Sequence, residues 1–124
     1  MSKVDLQGLS ILVVDDEDGL REAVSLALKS RGATVTQAPG GRPAFEMLKV
    51  TKFDWVVSDI RMPDGDGMSL LAQIQTLAEH IPKVILVTGF ADVTRDQVLN
   101  QGAIALLSKP FGRQSLIDLF LQNK

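Results

Sequence analysis

The amino-acid sequence predicts an α/β fold built on a single (βα)5 doubly wound parallel sheet with helices on both faces. The chain has 124 residues, and longer amphipathic segments separate its short apolar segments. The first and fourth apolar segments lack polar alternation, which is typical of strands that helices cover on both sides. This alternating order requires right-handed crossovers. The predicted strands are residues 11–14, 33–38, 55–57, 84–87 and 103–107.

The helices between these strands are predicted from apolar periodicity and from residues that begin or end a helix. Gly32 ends the first helix, Pro43 begins the second, and the third ends before Pro82 because proline cannot continue it. The fourth has a poor apolar stripe, so we expect it to be packed loosely and to be the most mobile. The predicted helices are residues 18–31, 43–49, 70–78, 92–101 and 113–122.

Composition and charge exclude several classes of protein. The length allows one folded core but leaves little room for two domains. Without cysteine there is no disulfide, zinc-thiolate site or thiol nucleophile. A net charge of -2 gives no broad basic field, so we expect no direct binding to nucleic acid. The apolar segments are too short to span a membrane and no signal peptide is evident, so we expect a cytoplasmic protein.

Acidic, hydroxyl and basic residues follow four of the predicted strands. Asp15 and Asp16 follow the first strand, Asp59 the third, Thr88 the fourth and Lys109 the fifth. The carboxyl ends of parallel strands meet at one edge of a sheet, where ligands collect. Three carboxylates gathered there would raise one another's pKa unless a cation neutralised them. Magnesium prefers such oxygen ligands, so the sequence predicts a magnesium site.

The same edge has the parts that phosphoryl transfer to a carboxylate requires. If Asp59 attacks phosphorus, three anionic oxygens come close to it and need the metal, a hydroxyl donor and a fixed positive charge. Thr88 and Lys109 supply the hydroxyl and the charge. Each part occurs once at the predicted strand ends.

Separated segments of the chain resemble the receiver domain of two-component response regulators, and the resemblance covers essentially the whole chain. It implies the flavodoxin-like strand order 2-1-3-4-5 and a signalling switch that turns over no metabolite. The domain would span residues 10–122, with an extension at 1–9 and a tail at 123–124. The segments are VVDDE at 13–17, FDWVVSDIRMP at 53–63, GDG at 65–67, VTG at 87–89, GA at 102–103 and KPF at 109–111.

The resemblance implies how the acidic residues act. Asp59 would accept a phosphoryl group from a sensor histidine kinase or a phosphotransfer protein. Asp16, Asp59 and the backbone carbonyl of Arg61 would ligate Mg2+, for which Mn2+ is a possible substitute, and Asp15 would act through bound water. The output target is unidentified, because the chain is either a stand-alone receiver or a fragment of a longer regulator.

The resemblance also implies a switch. Thr88 would move towards the phosphoryl group, Lys109 would pair with another phosphoryl oxygen, and the Lys109 to Pro110 peptide would be cis. Family members usually have Tyr or Phe three residues before the lysine, where this chain has Leu106. Either Leu106 repacks in a similar way, or output depends on the loop after Thr88 and the fourth helix. An unusual segment at 40–43 is expected to alter only local shape.

The fifth helix has more apolar residues than one core-facing stripe needs. Residues 116–121 carry apolar side chains over about 200° of arc at roughly 100° per residue. Either the helix is frayed and partly exposed, or Ile117 and Leu121 form a docking or homodimer surface with the fourth helix and fifth strand.

Two other functions compete with the phosphorylated switch. Asp16 to Gly19 resembles the Asp-x-Asp start of haloacid-dehalogenase-like phosphatases, in which Asp16 would be the nucleophile. That family's late pair of acidic ligands and its substrate cap are missing. The other alternative is a pseudo-receiver that binds partners without phosphate.

The remaining polar residues are predicted to be structural. Asp18 is expected to cap the first helix, and Asp54 to lie on the opposite edge, about 16 Å from Asp59. Residues 64–67 imitate part of a calcium loop, but Met68 replaces the next oxygen ligand, so a turn and helix cap is expected. His80 is expected to be solvated or a cap.

Overall fold

The structure is a computed structural model that describes residues 4–89 and 93–123. One five-stranded sheet has the order β2-β1-β3-β4-β5, and every neighbouring pair is parallel. The predicted strand order is therefore confirmed. The strands are β1 Ser10–Val14, β2 Thr34–Ala38, β3 Trp55–Asp59, β4 Lys83–Thr88 and β5 Ala105–Ser108.

Five helices connect or follow the strands, and the first, third and fourth of them are shorter than predicted. The third ends at Ile74 because Thr76 donates from its backbone and its hydroxyl to the carbonyl of Gln73, which closes the last turn. In the fourth, Thr94 and Gln97 form a capping box, so the helix begins at Arg95; the predicted start at residue 92 lies outside the described residues. The helices are α1 Asp18–Lys29, α2 Gly41–Val50, α3 Gly67–Ile74, α4 Arg95–Asn100 and α5 Arg113–Gln122.

The sheet separates two apolar cores, because successive strand residues point to opposite faces. Leu12 and Val56 belong to the core that α2, α3 and α4 cover, whereas Val13 and Val57 belong to the core that α1 and α5 cover. Helices on both faces are thus confirmed. Among the described residues, no helix is both long enough and apolar enough to cross a membrane.

The apolar excess of α5 belongs to the core, so the predicted docking role of Ile117 is wrong. Ile117 is 0% exposed, and Leu121 is half-buried against the α1 and α5 core. The rings of Trp55 and Phe120 lie 4.5 Å apart at their centroids. The end of the helix is also held, because Lys83 Nζ donates to the backbone carbonyl of Asn123. Core packing therefore accounts for an arc wider than one stripe.

Candidate functional site

Three aspartates converge at the carboxyl edge of the two neighbouring strands β1 and β3. One carboxylate oxygen from each of Asp15, Asp16 and Asp59 lies within 4.8 Å of the others. The parallel register pairs Val14 with Ser58, which brings the residues that follow them side by side. Asp15 and Asp59 are buried and Asp16 is exposed. The edge therefore has two buried carboxylates and one that faces solvent.

The charged form of Asp15 is disfavoured at this edge. Burial raises the pKa of Asp15 above its ordinary value, and the carboxylates of Asp59 and Asp16 raise it further. The Glu17 N–H, which donates to Asp15 Oδ1 at 2.9 Å, and the Lys109 ammonium lower the pKa of Asp15 without cancelling the rise. A hard divalent cation fits this set of oxygen donors.

Lys109 pairs with both buried acids. Its Nζ lies 3.3 Å from Asp59 Oδ2 and 4.0 Å from Asp15 Oδ2. Its backbone N–H donates to the carbonyl of Thr88 at 2.8 Å, and its peptide bond to Pro110 is cis, as predicted. The ammonium group therefore faces Oδ2 of Asp59.

Neighbouring groups hold Asp59 at the end of β3. Asp59 Oδ1 accepts from the Ile60 N–H at 3.0 Å, and the Ser58 hydroxyl donates to the Asp59 carbonyl at 2.9 Å. A Cβ atom at Gly67 would lie only 2.4 Å from that carbonyl oxygen. The carboxylate is thereby oriented with Oδ1 towards the backbone and Oδ2 towards Lys109.

Residues 11–120 match the family model of the response regulator receiver domain. The chain belongs to this family. Its members are receivers of two-component response regulators and act as signalling switches rather than as metabolic enzymes. The match supports phosphorylation-dependent signalling and does not support the phosphatase interpretation.

Relatives and solved structures agree with this assignment. Transcriptional regulatory protein GlrR of Escherichia coli is 35% identical over 106 residues, which are 86% of this chain and 24% of GlrR. Response regulator protein FleR of Pseudomonas aeruginosa is 37% identical over 114 residues, or 91% of this chain and 24% of FleR. The chain thus spans about a quarter of these relatives. A response regulator receiver protein from Pseudomonas putida has a TM-score of 0.84 and 32% identity, covering 93% of this chain and 97% of that one.

The other predicted site residues of the receiver lie at or near the same edge. Thr88 is buried at the end of β4, one residue beyond Val87, which pairs with Asp59. Arg61 is exposed in the loop after β3. Leu106 on β5 is half-buried and packs against the core that α2, α3 and α4 cover. The metal role of the Arg61 carbonyl and the switch role of Thr88 and Leu106 stay predictions.

Most of the polar residues predicted to be structural are so. Asp54 accepts from the Ser10 N–H at 2.8 Å at the opposite edge, and Asp66 caps α3 by accepting from the Ser69 N–H at 2.7 Å. Exposed His80 has its Nε2 2.8 Å from the carbonyl of Phe53.

The prediction that Asp18 caps α1 is wrong. The N-cap is Glu17, which makes no side-chain cap bond, and Asp18 lies inside the first turn. Asp18 instead pairs with Arg21 at 2.8 Å, because a side chain at this position faces the next turn of the helix.

The segment at 40–43 contacts the loop between β3 and α3. The Gly41 N–H donates to the Gly65 carbonyl at 3.0 Å, and the Arg42 N–H donates to the Asp64 carbonyl at 3.1 Å. These bonds join the start of α2 to the loop between β3 and α3, which follows Asp59. The expectation that this segment alters only local shape stays a prediction. The consecutive glycines at 40 and 41 were the sequence signal for such a close backbone contact.

Proposed function

We propose that this receiver is switched by phosphorylation of Asp59, with a sensor histidine kinase or a phosphotransfer protein as the donor. The observation that carries the proposal is the position of Asp59 Oδ2, which lies 3.3 Å from Lys109 Nζ beside two further carboxylates. A nucleophilic oxygen, a fixed positive charge and oxygen ligands for a cation are what this transfer requires.

The proposed transfer forms one bond and breaks one bond. Asp59 Oδ2 attacks the phosphorus of a phosphohistidine, and the phosphorus–nitrogen bond breaks as the phosphorus–oxygen bond forms. The electron pair of the broken bond goes to the histidine nitrogen, which takes a proton as it leaves. Lys109 would pair with one phosphoryl oxygen and the Thr88 hydroxyl would donate to another. Slow attack of water on the acyl phosphate would return the receiver to its starting state.

Magnesium is the cofactor that the acidic cluster fits, and Mn2+ is a possible substitute. Asp15, Asp16, Asp59 and the backbone carbonyl of Arg61 would hold the ion, with Asp15 acting through bound water. When bound, the ion supplies charge neutralisation for the carboxylates and the transferred oxygens. The buried Asp15, whose pKa is raised, is the observation that favours a cation here.

The proposed output is a change in partner affinity. Thr88 would move towards the phosphoryl group, and Leu106 would repack or the α4 face would shift its populations. The partner is an unidentified effector or a linked output domain. A homodimer through the α4 to α5 face stays a prediction, without Ile117, which is buried. The cytoplasmic location also stays a prediction.

Intact mass after incubation with magnesium and a small phosphodonor, such as phosphoramidate, tests the acceptor. One added phosphoryl group is expected on the parent chain and none on Asp59→Asn or in a chelated control. If Asp59→Asn is labelled while Asp16→Asn is not, the phosphatase interpretation is correct instead. If neither the parent nor either variant is labelled, the chain is a binding module that does not use phosphate.

Hydrogen exchange of the α4 and β5 amides tests the switch. Phosphorylation is expected to change exchange there in the parent and in Thr88→Ser, which keeps the hydroxyl. Thr88→Ala should accept the phosphoryl group without that change. An equal response in Thr88→Ala would show that the switch does not depend on the threonine.

A further inference from the structure

Arg21 joins three parts of the chain through one guanidinium group. Its Nη1 donates to the backbone carbonyl of Asp15 at 2.8 Å, its Nε to Gln37 Oε1 at 3.0 Å, and its Nη2 to Asp18 Oδ1 at 2.8 Å. The side chain lies on α1, yet only 15% of it is exposed. The partners lie just after β1, on β2 and in the first turn of α1.

The Asp15 carbonyl is the oxygen of the peptide group that joins Asp15 to Asp16. Because a peptide group is planar, a hydrogen bond that fixes its oxygen also fixes the orientation of the two Cα atoms it connects. Both of these residues point a carboxylate at the acidic edge. Arg21 therefore contacts the backbone that carries two of the three acids.

A second bond fixes the side chain that receives the Arg21 Nε–H. Gln37 Nε2 donates to Glu22 Oε2 at 3.0 Å, so the Gln37 amide has its oxygen facing Arg21. Gln37 is paired with Val13 in the sheet, two residues before Asp15. The guanidinium plane is thus set by two neighbouring strands rather than by its flexible stem alone.

These bonds need the planar fork of arginine. A guanidinium group presents several donors in fixed directions, whereas a lysine ammonium is a single point charge on a flexible chain. Lysine at position 21 would keep the positive charge but would not serve the three acceptors together. Charge and geometry can therefore be separated by substitution.

We propose that Arg21 is a positioning residue for metal binding, which keeps the Asp15 and Asp16 carboxylates within reach of Asp59. The inference rests on the proposed function, because it assigns these carboxylates to a divalent cation. Arg21 would act through the Asp15 peptide and would not touch the ion or the phosphoryl group. Residues that orient metal ligands in this way change affinity when they are replaced.

Calorimetric titration with MgCl2, without phosphodonor, tests this role. Arg21→Met is expected to raise the Kd for Mg2+ about tenfold, and Arg21→Lys is expected to raise it similarly because charge alone does not hold the peptide. The matched control is Arg42→Met, which removes an arginine whose side chain is 81% exposed in a surface ion pair. Asp18→Asn should also leave affinity close to the parent's, since its carboxylate is 88% exposed and the amide keeps an acceptor.

Two further measurements separate positioning from a general structural role. In Arg21→Met, the labelling rate with phosphoramidate should return close to the parent's at saturating Mg2+, because only ligand geometry is impaired. Hydrogen exchange of the Glu17 amide, which donates to Asp15 Oδ1 at 2.9 Å, should be faster in metal-free Arg21→Met while core amides stay protected. If Arg21→Met does not fold, Gln37→Met removes one anchor of the guanidinium and should show the same effects more weakly.

The outcomes distinguish this inference from the proposed function. If folded Arg21→Met binds Mg2+ with the same affinity as the parent, the positioning role is overturned. If Arg21→Met is unfolded, the same result in Gln37→Met overturns it. Parental affinity in Arg21→Lys overturns it too, because charge would then be sufficient. A parent chain that binds Mg2+ and is never labelled contradicts the proposed function alone. If the parent does not bind Mg2+, the metal role of Arg21 is overturned, whatever the result of labelling.

Discussion

The two loops that bring acids to the carboxyl edge of the sheet are held in different ways. The loop after β1 is held by a side chain, since Arg21 donates to the Asp15 carbonyl at 2.8 Å. The loop after β3 is held by backbone atoms, since the Gly41 N–H donates to the Gly65 carbonyl at 3.0 Å. A side-chain bond can be removed by substituting one residue. A backbone contact depends instead on how closely two main chains approach.

The backbone contact leaves no space for side chains. A Cβ atom at Gly41 would lie 2.4 Å from the Gly65 oxygen, and one at Gly40 would lie 2.9 Å from the Asp64 oxygen. Gly65 itself has a φ of +84°, a conformation that other residues rarely adopt. The close contact therefore favours glycine both at the start of α2 and in the loop after β3.

Gly41→Ala is expected to cause the largest loss of stability. The added methyl group must push α2 and the loop apart, and such overpacking costs about 1–3 kcal/mol of unfolding free energy. Gly19→Ala is the matched control, because nothing lies within 4 Å of its Cβ position and α1 gains about 1 kcal/mol from alanine. Urea unfolding measures both. If Gly41→Ala and the parent have equal unfolding free energies, α2 and the loop can move apart without loss of stability.

Asp15→Asn is expected to stabilise the metal-free protein at pH 7. The folded-state pKa of Asp15 is raised, so its charged form costs stability as pH rises from the ordinary value of 3.8 through the folded value. Asparagine removes that charge and keeps an oxygen for the Glu17 N–H. The gain in thermal unfolding temperature over the parent should vanish below the ordinary pKa. Saturating Mg2+ should narrow or reverse the difference in unfolding temperature between Asp15→Asn and the parent. If the higher unfolding temperature of Asp15→Asn does not depend on pH, its origin is not electrostatic.

Asp66→Ala is expected to have a smaller effect than Gly41→Ala. Asp66 ends the loop after β3 and accepts from the Ser69 N–H at the start of α3, so its loss should cost about 1 kcal/mol. Asp64→Ala removes an exposed carboxylate that is paired with Arg42, and should change the unfolding free energy by less than about 0.5 kcal/mol. Similar urea midpoints for the two variants would show that the cap contributes little.

The acidic edge could be predicted from the sequence because its position follows from the order of parallel strands and helices. Once buried strands alternate with helices, Asp15 and Asp59 follow parallel strands and must meet at one end of the sheet. The same reasoning placed Asp54 at the other end. Arg21 and Gln37 were missed, since they lie 16 residues apart and neither has a distinctive local motif. Only the pairing of β1 with β2 brings Gln37 beside the helix that carries Arg21.

Other predictions failed where local periodicity does not describe packing. The wide apolar arc of α5 suggested a second surface, but burial of Ile117 and the partial burial of Leu121 account for it within the fold. The third helix was extended too far because Leu77 continues the apolar pattern although Thr76 already closes the last turn. Gly40 and Gly41 are evident in the sequence, but the loop that they contact is distant along the chain, so local patterns do not reveal the contact.

Trp55 gives the protein a single fluorescent reporter, because the chain has one tryptophan and no tyrosine. The indole packs against Phe120, and the Lys83 ammonium lies 5.4 Å from its centroid. Trp55 begins the strand that Asp59 ends, so about 13 Å of extended chain separates the indole from the acidic cluster. An emission change on adding a cation or a phosphodonor would therefore report a disturbance that had crossed the sheet. If binding is proven and Trp55 emission does not change, the structural change is confined to the carboxyl edge of the sheet.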